Sequence, residues 1–214
     1  MLTHVHYRSQ KFIIDLSKPL DISMPMEASI NNVNAWYLKE PIIKPVVIDN
    51  QIYTVAAGAS INFNNIKFNP HAHGTHTECV GHITKEKYSI NKCLKQFFFL
   101  AKVITVAPEN YKQDFIISKK QLQFALGNKK REALIVRTIP NTKDKLSKQY
   151  SNTSWPYFDR EAMTYLVKKG IKHLLIDLPS VDKENDGGEL VGHHVFWNTN
   201  GVLRLDATIT EFIY

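Results

Sequence analysis

Between His71 and His82 the chain carries four of its nine histidines, with Glu78 among them. Any fold for this sequence has to gather these groups. Histidine is the commonest protein metal ligand and the usual acid–base at neutral pH, and a carboxylate beside such a cluster is what a hydrolytic metal site uses. His76 and Glu78 are two apart, so on an extended segment they face the same way, and His82 keeps that parity if the strand runs on. His71 and His73 have the opposite parity. Gly74 lies between the two sets, where a turn can reverse the chain and bring both onto one point. The helical zinc-protease pattern His-Glu-x-x-His is absent. A His-x-Glu start also suits an iron facial triad, and the plain structural alternative is a polar loop whose histidines cap turns. Clustering of histidines with an acid favours metal or catalytic chemistry.

The 214 residues suit one domain, and 43% hydrophobic with 22% charged residues is an ordinary globular balance with ample material for a core. The net charge of +7 is moderately basic, but the cations are scattered. Lys119-Lys120, Lys129-Lys130-Arg131 and Lys168-Lys169 read as solvated faces rather than a nucleic-acid stripe, although a basic balance also suits an anionic substrate. Cys79 and Cys93 are the only cysteines, too few for a disulfide framework and without a CxxC. Cys79 sits inside the cluster as a potential soft ligand, yet its parity opposes His76 and Glu78, which directs it to the core. The first residues lack a signal-peptide apolar region, and no apolar run approaches a membrane span. The expectation is a cytoplasmic protein acting on a small molecule, with no nucleic-acid or membrane partner.

Along the chain, Lys11–Leu16 reads as a first strand. Residues 21–45, with prolines, asparagines, Trp36 and Tyr37, read as a long surface excursion, and irregular segments of this length tend to be functional. Val46–Asp49 and Ile52–Val55 predict a hairpin across Asn50-Gln51. Ile61–Phe63 and Ile66–Phe68 predict another around Asn64-Asn65. Phe97–Val106, Ala133–Thr138 and Lys172–Asp177 read as buried strands. Lys119–Leu126 is a helix ended by Gly127, residues 141–154 a polar loop, and Arg160–Lys169 a helix capped by Asp159 and stopped by Gly170. Strand–helix–strand order in the second half implies βαβ units, and a hairpin-rich first half makes the whole a single α/β domain with a mixed sheet.

The run Gly74-Thr75-His76-Thr77-Glu78-Cys79-Val80-Gly81-His82 resembles the central motif of the cyclase or kynurenine-formamidase (arylformamidase) family of metal-dependent hydrolases. Ile14-Asp15-Leu16-Ser17-Lys18-Pro19-Leu20 near the start resembles a second family segment. Ile176-Asp177-Leu178-Pro179-Ser180-Val181-Asp182, followed by His193-His194, resembles a third. The resemblance implies a swivelling β/β/α fold over residues 1–214, an oligomer (a homodimer or higher) and one or two divalent ions, zinc or manganese. It implies that His76 and Glu78 are metal ligands and His82 the catalytic histidine. One of His193 or His194 would serve a second ion together with Glu211. The sequence departs from the family in four places. The family's histidine two residues before Gly-Thr-His is Ala72 here, with His71 and His73 flanking it, and either can supply the nitrogen. Glu78 stands for the usual aspartate, Cys79-Val80 replaces a usual proline, and the excursion from Ser23 to Pro45 is longer than in compact members. The family also continues past the matching glutamate with a further helix and strand. The end at Tyr214 therefore implies an uncovered sheet edge, a less firmly held Glu211 and self-association.

Of the remaining candidates, His173 reads as structural, and His4 and His6 as idle. Asp177 and Asp182 are each either a support for a ligand histidine or a turn stabiliser. Trp36, Tyr37 and Phe63 are core or contact residues by default and an aryl pocket otherwise. The favoured chemistry is metal-assisted hydrolysis of a small amide, lactam or ester, with His82 moving the proton. An oxygen-using iron enzyme and a non-enzymatic metal- or ligand-binding member, the latter motivated by Ala72, are the alternatives.

Overall fold

The apolar runs of the second half form the centre of the fold. In the computed structural model, which describes residues 1–214, the strands Ala133–Thr138 and His173–Ile176 lie side by side in a five-stranded sheet. Its order is His76–Glu78, Thr208–Glu211, His173–Ile176, Ala133–Thr138, Ala101–Val106. The last four strands are mutually parallel, and His76–Glu78 runs antiparallel to Thr208–Glu211. Parallel neighbours need a crossover, which helices provide here. Lys119–Leu126, Arg160–Lys168 and Val191–Trp197 each lie between successive parallel strands. The expected βαβ organisation is thus observed, as a mixed α/β single domain.

Local signals set the helix ends. Ser118 and Gln121 form a capping box at the first helix. The Asp159 carboxylate accepts the Ala162 N–H at 2.5 Å at the second, and Gly170, at φ 79, turns the chain away after it. Leu122, Leu126, Met163, Leu166, Phe196 and Trp197 bury the helical faces against Ile104, Leu134, Val136, Leu174 and Ile176. Each such side chain stabilises the fold by about 1.5–3 kcal/mol relative to exposure.

The first half departs from the sequence expectation in several places. Residues Leu2–Tyr7 are a strand, paired antiparallel with Gln10–Asp15, and both His4 and His6 lie on it exposed. The hairpin expected across Asn50-Gln51 pairs Val47–Ile48 with Gln51–Ile52 instead. Its turn is Asp49-Asn50, the two residues with positive φ (48° and 64°), as a tight two-residue turn needs. No hairpin forms around Asn64-Asn65. Asn64–Lys67 is a strand that pairs with Ile42–Pro45, a distant partner that alternation alone does not reveal. The strand expected from Phe97 begins only at Ala101, and Phe97 and Phe98 are 72% and 86% exposed.

The segment 21–45 is irregular up to Pro41 and largely exposed, as expected, but it is anchored in the core at a few positions. Met24, Val33 and Ala35 join Tyr150, Trp155 and Phe212 in a second apolar cluster. The supposed polar loop 141–154 supplies part of that cluster, with Tyr150 1% exposed. Backbone bonds Asn34 N to Lys148 O (3.1 Å) and Tyr150 N to Asn34 O (2.8 Å) tie the two segments together. Glu211, expected to be held less firmly than the ligands near His76, lies on an interior strand of the sheet, is 3% exposed and accepts the Val181 N–H at 3.1 Å. No helix is long and apolar enough to cross a membrane.

One buried charge pair closes the sheet's carboxyl end. Lys145 Nζ donates to Asp177 Oδ2 at 2.6 Å and to Thr138 O at 3.0 Å, while Thr138 N donates to Asp177 Oδ2 at 2.8 Å. Asp177 therefore supports the fold rather than a ligand histidine. Removing one partner leaves the other charge buried without compensation. Lys145→Met should lower unfolding free energy by about 3–5 kcal/mol in urea titrations, whereas Lys119→Met, at an exposed pair, should change it by less than about 1 kcal/mol.

Candidate metal centre

Three pieces of backbone converge where the antiparallel strand meets the parallel sheet. The first is the short helix Pro70–His73, started by Asn69, whose Oδ1 accepts the His71 N–H at 2.9 Å. The chain then enters His76–Glu78. Gly74 is extended (φ 177°), so the helical turn, not a left-handed glycine, brings His71 round to the His76 side. In the strand His76 and Glu78 share a face, as their parity requires, and the register sets His76 opposite Glu211. The strand stops at Glu78. His82 is delivered by the tight turn Val80–His82, which needs glycine at 81 because a Cβ there would lie 2.1 Å from Tyr88 O. The third piece is the helix Val191–Trp197, which carries His193.

Glu78 is the hub. Its Oε1 accepts from His193 Nε2 at 3.0 Å, and its Oε2 lies 3.3 Å from His71 Nδ1 and 3.5 Å from His82 Nε2. His76 Nε2 faces Glu211 Oε2 at 3.4 Å, while its Nδ1 is fixed by Gly74 O at 3.0 Å. The rings of His71 and His82 stack with centroids 4.4 Å apart. Asp182 Oδ2 meets His193 Nδ1 at 2.5 Å and leaves Nε2 turned inward, an arrangement typical of a carboxylate that orients a ligand histidine.

Two polar atoms here are buried without a hydrogen-bond partner, His76 Nε2 and Glu78 Oε2. Buried polar atoms are normally satisfied, and an ion is one resolution. The donors of His71, His76 and Glu78 lie within 4.8 Å of one another, as do those of Glu78, His82 and His193. Imidazole nitrogens with carboxylate oxygens suit a divalent cation, so the residues present fit one.

The electrostatics agree with a site built for positive charge. Burial opposes ionisation of Glu78, but the His193 hydrogen bond and the neighbouring His71 and His82 imidazoles outweigh it and hold the carboxyl well below its usual range. Burial, together with the charge of Glu78, raises Glu211. Burial disfavours charge on His193, yet Asp182 and Glu78 push it up to about 10. Burial lowers His82, with Glu78 only partly opposing it.

The two pairs left open by the sequence are separated by these contacts. His71 and His193 enter the cluster. His73 does not, because its Nδ1 accepts the Asn69 N–H at 2.8 Å and its Nε2 meets Lys39 O at 2.9 Å. His194 also points away, with Nδ1 on Thr199 Oγ1 at 2.6 Å. Cys79 is buried, its thiol 3.4 Å from Tyr88 O, as its opposite parity suggested. His173 is buried on Thr208 Oγ1 at 2.8 Å. A cleft of about 320 Å³ opens onto the cluster, lined by Trp36, Leu38, Asn69, His71, His82, Ser180, Leu190, His193 and Glu211. Phe63 is not among these residues; its ring packs on Tyr53. Leu38, Asn69 and Leu190 were not singled out in the sequence, because a leucine or an asparagine in an irregular segment carries no chemical signal.

The sequence model of the putative cyclase family matches residues 14–183. The chain belongs to this family. Among solved structures it is similar to a potential metal-dependent hydrolase with cyclase activity, at a TM-score of 0.60 and 14% identity, covering 91% of this chain and 80% of that one. It is also similar to an isatin hydrolase bound to the product analogue thioisatinate, at a TM-score of 0.61 and 14% identity, covering 91% and 78%. A third likeness is isatin hydrolase A from Ralstonia solanacearum, at a TM-score of 0.59 and 14% identity, covering 90% and 78%. No curated protein gives a significant match.

The geometry generates a set of expected outcomes for metal content, read by elemental analysis of purified variants. His76→Ala and His71→Ala should lose bound divalent metal. His73→Ala and His194→Ala should retain it. Asp182→Asn should weaken metal affinity by about 10- to 100-fold, the usual effect of losing a carboxylate that orients a ligand.

Proposed function

We propose that this protein is a metal-dependent hydrolase acting on the C–N bond of a small amide or lactam, in the manner of an arylformamidase or cyclase, or on the C–O bond of a small ester. The observation that carries the reading is the pair of unpartnered buried atoms, His76 Nε2 and Glu78 Oε2, close to the partly exposed imidazole of His82. Family membership and the fold shared with hydrolases support it.

His71, His76 and Glu78 would hold a divalent ion, zinc or manganese, and His193 with Glu211 would hold a second where two are bound. The ion supplies a Lewis acid that polarises the scissile carbonyl and acidifies water. His82 and His71 are the two imidazoles beside Glu78 that reach the cleft with partly exposed side chains (33% and 38%), and of these His82 is the one not assigned to the ion. Its Nε2 takes the proton from the attacking water and returns it to the leaving nitrogen or oxygen. Asp182 keeps His193 in one tautomer and orientation. Trp36, Leu38 and Leu190 form the apolar part of the cleft, which excludes water around a small substrate. Assembly into a homodimer or higher oligomer is part of the same reading, and sedimentation reads it.

A hydrolysis screen of aryl formamides, cyclic amides and esters, with and without added divalent ions, tests the reading. Metal-dependent formation of a carboxylate product is expected, and metal-replete protein inert towards every class would overturn it. His82→Ala should keep its metal and lose about 100- to 10,000-fold in turnover. Loss of metal in step with activity would make His82 a ligand instead.

A further inference from the structure

Glu184 lies two residues beyond Asp182 and outside the donor cluster, yet it is only 8% exposed and fully engaged. Its Oε1 accepts the Tyr37 hydroxyl at 2.9 Å and the Asn152 N–H at 2.5 Å, and its Oε2 accepts the Ser154 N–H at 2.9 Å. Tyr37 N donates in turn to Ser151 Oγ at 2.8 Å. One carboxylate thus joins three distant stretches of chain. The residue before Tyr37 is Trp36, whose side chain lines the cleft.

Both Trp36 and Tyr37 have φ 59. Two consecutive bulky residues in the left-handed region are strained, and such a conformation persists only where the surroundings over-determine it. The restraints on Trp36 itself are a bond from Nε1 to His71 O at 3.1 Å and an edge contact with Trp155 at 5.0 Å between centroids. Those on Tyr37 are Ser151 and Glu184. Losing the Glu184 bond would remove one of the two restraints on Tyr37 and leave the strained pair held by Ser151 and by the contacts of Trp36 alone.

We propose that the Tyr37–Glu184 hydrogen bond is a latch that holds Trp36 as a wall of the cleft, making Tyr37 and Glu184 positioning residues for substrate binding. The proposal rests on the reading of this cleft as a substrate site. Neither residue touches the donor cluster, so losing the latch weakens binding and leaves metal retention and proton transfer in place. Glutamine at 184 would set an amide N–H₂ against at least one of three donors, and phenylalanine at 37 would remove the hydroxyl alone.

Two measurements test it on the intact, metal-loaded protein. The first needs no substrate. Trp155 and Trp197 are 2% and 0% exposed, so acrylamide quenching reports mainly on Trp36, with Trp36→Phe as the blank. Tyr37→Phe and Glu184→Gln should each raise that quenching while metal content stays at the wild-type level. The second uses the best substrate from the hydrolysis screen. Each variant should raise KM on the order of tenfold, the effect of losing a hydrogen bond to a charged group, with kcat within about twofold. The double variant should be no worse than the worse single one. Unchanged quenching, a fall in kcat at constant KM, or fully additive effects would overturn the latch. Because Tyr37 is 57% exposed, Tyr37→Phe keeps the test available if Glu184→Gln fails to fold. Should no substrate be turned over, the hydrolase reading fails, and quenching alone decides the latch.

Discussion

A single buried carboxylate organises the centre of this protein. Glu78, 5% exposed, is approached by three imidazoles carried on a short helix, a tight turn and a longer helix. Burying a carboxylate costs several kcal/mol unless charge and hydrogen bonds compensate it. Here the compensation is partial, with one oxygen held by His193 and the other left free of hydrogen bonds. Glu211 adds a second buried acid 3.4 Å from His76. Two acids among imidazoles, with unsatisfied atoms directed inward, form a donor set that a divalent cation fits. The sheet makes this possible: an antiparallel edge strand brings His76 level with Glu211, and the loop after His173–Ile176 supplies the Asp182 that aims His193.

The second apolar cluster gives the site its opposite wall. Met24, Val33 and Ala35 would be exposed on a true surface loop, but they pack against Tyr150, Trp155 and Phe212. Phe212 immediately follows Glu211, so the same few residues serve both the metal-facing sheet and the covering segment. Asn32 reinforces the join by donating to His73 O at 2.8 Å. Left-handed φ values occur along this seam, at Trp36, Tyr37, Leu190 and Phe212. Each costs of order 1–3 kcal/mol in isolation, so at these positions packing overrides local preference.

The second half of the fold was legible because periodicity there is unambiguous. Ala133–Thr138 was read to its observed bounds, and the Asp159 and Ser118 ends are written in side chains that bond their own backbone. The first half was less so: its local hairpins were approached, but its long-range pairing was not. Nothing local tells Asn64–Lys67 to choose Ile42–Pro45 over a neighbour. The candidate site was legible as a composition of donors but not as a selection among them. Distinguishing His71 from His73, or His193 from His194, depends on which ring nitrogens are already taken by Asn69, Lys39 and Thr199. Of those partners only Lys39 is distant in the sequence; Asn69 and Thr199 lie within five residues of the rings they hold, but spacing alone does not say which ring each takes. Glu184 was invisible because its three donors come from residues at least 30 positions away.

The departures of this sequence from the family pattern become one coherent change when placed in the structure. Ala72 occupies the position where the family has a histidine, and it is fully buried, its carbonyl accepting the Ala35 N–H at 3.1 Å. Successive residues on a helix differ by about 100° in direction, so the helix Pro70–His73 cannot present both 71 and 72 to the same point. Its phase is fixed by the Asn69 cap and by the burial of Ala72 and His73, and that phase aims His71 at Glu78. Glutamate reaches one methylene further than aspartate, and the two substitutions meet at a 3.3 Å contact. Together they rebuild a three-donor group with His76, so the loss of the family's histidine at 72 does not by itself argue for a site that has lost its metal.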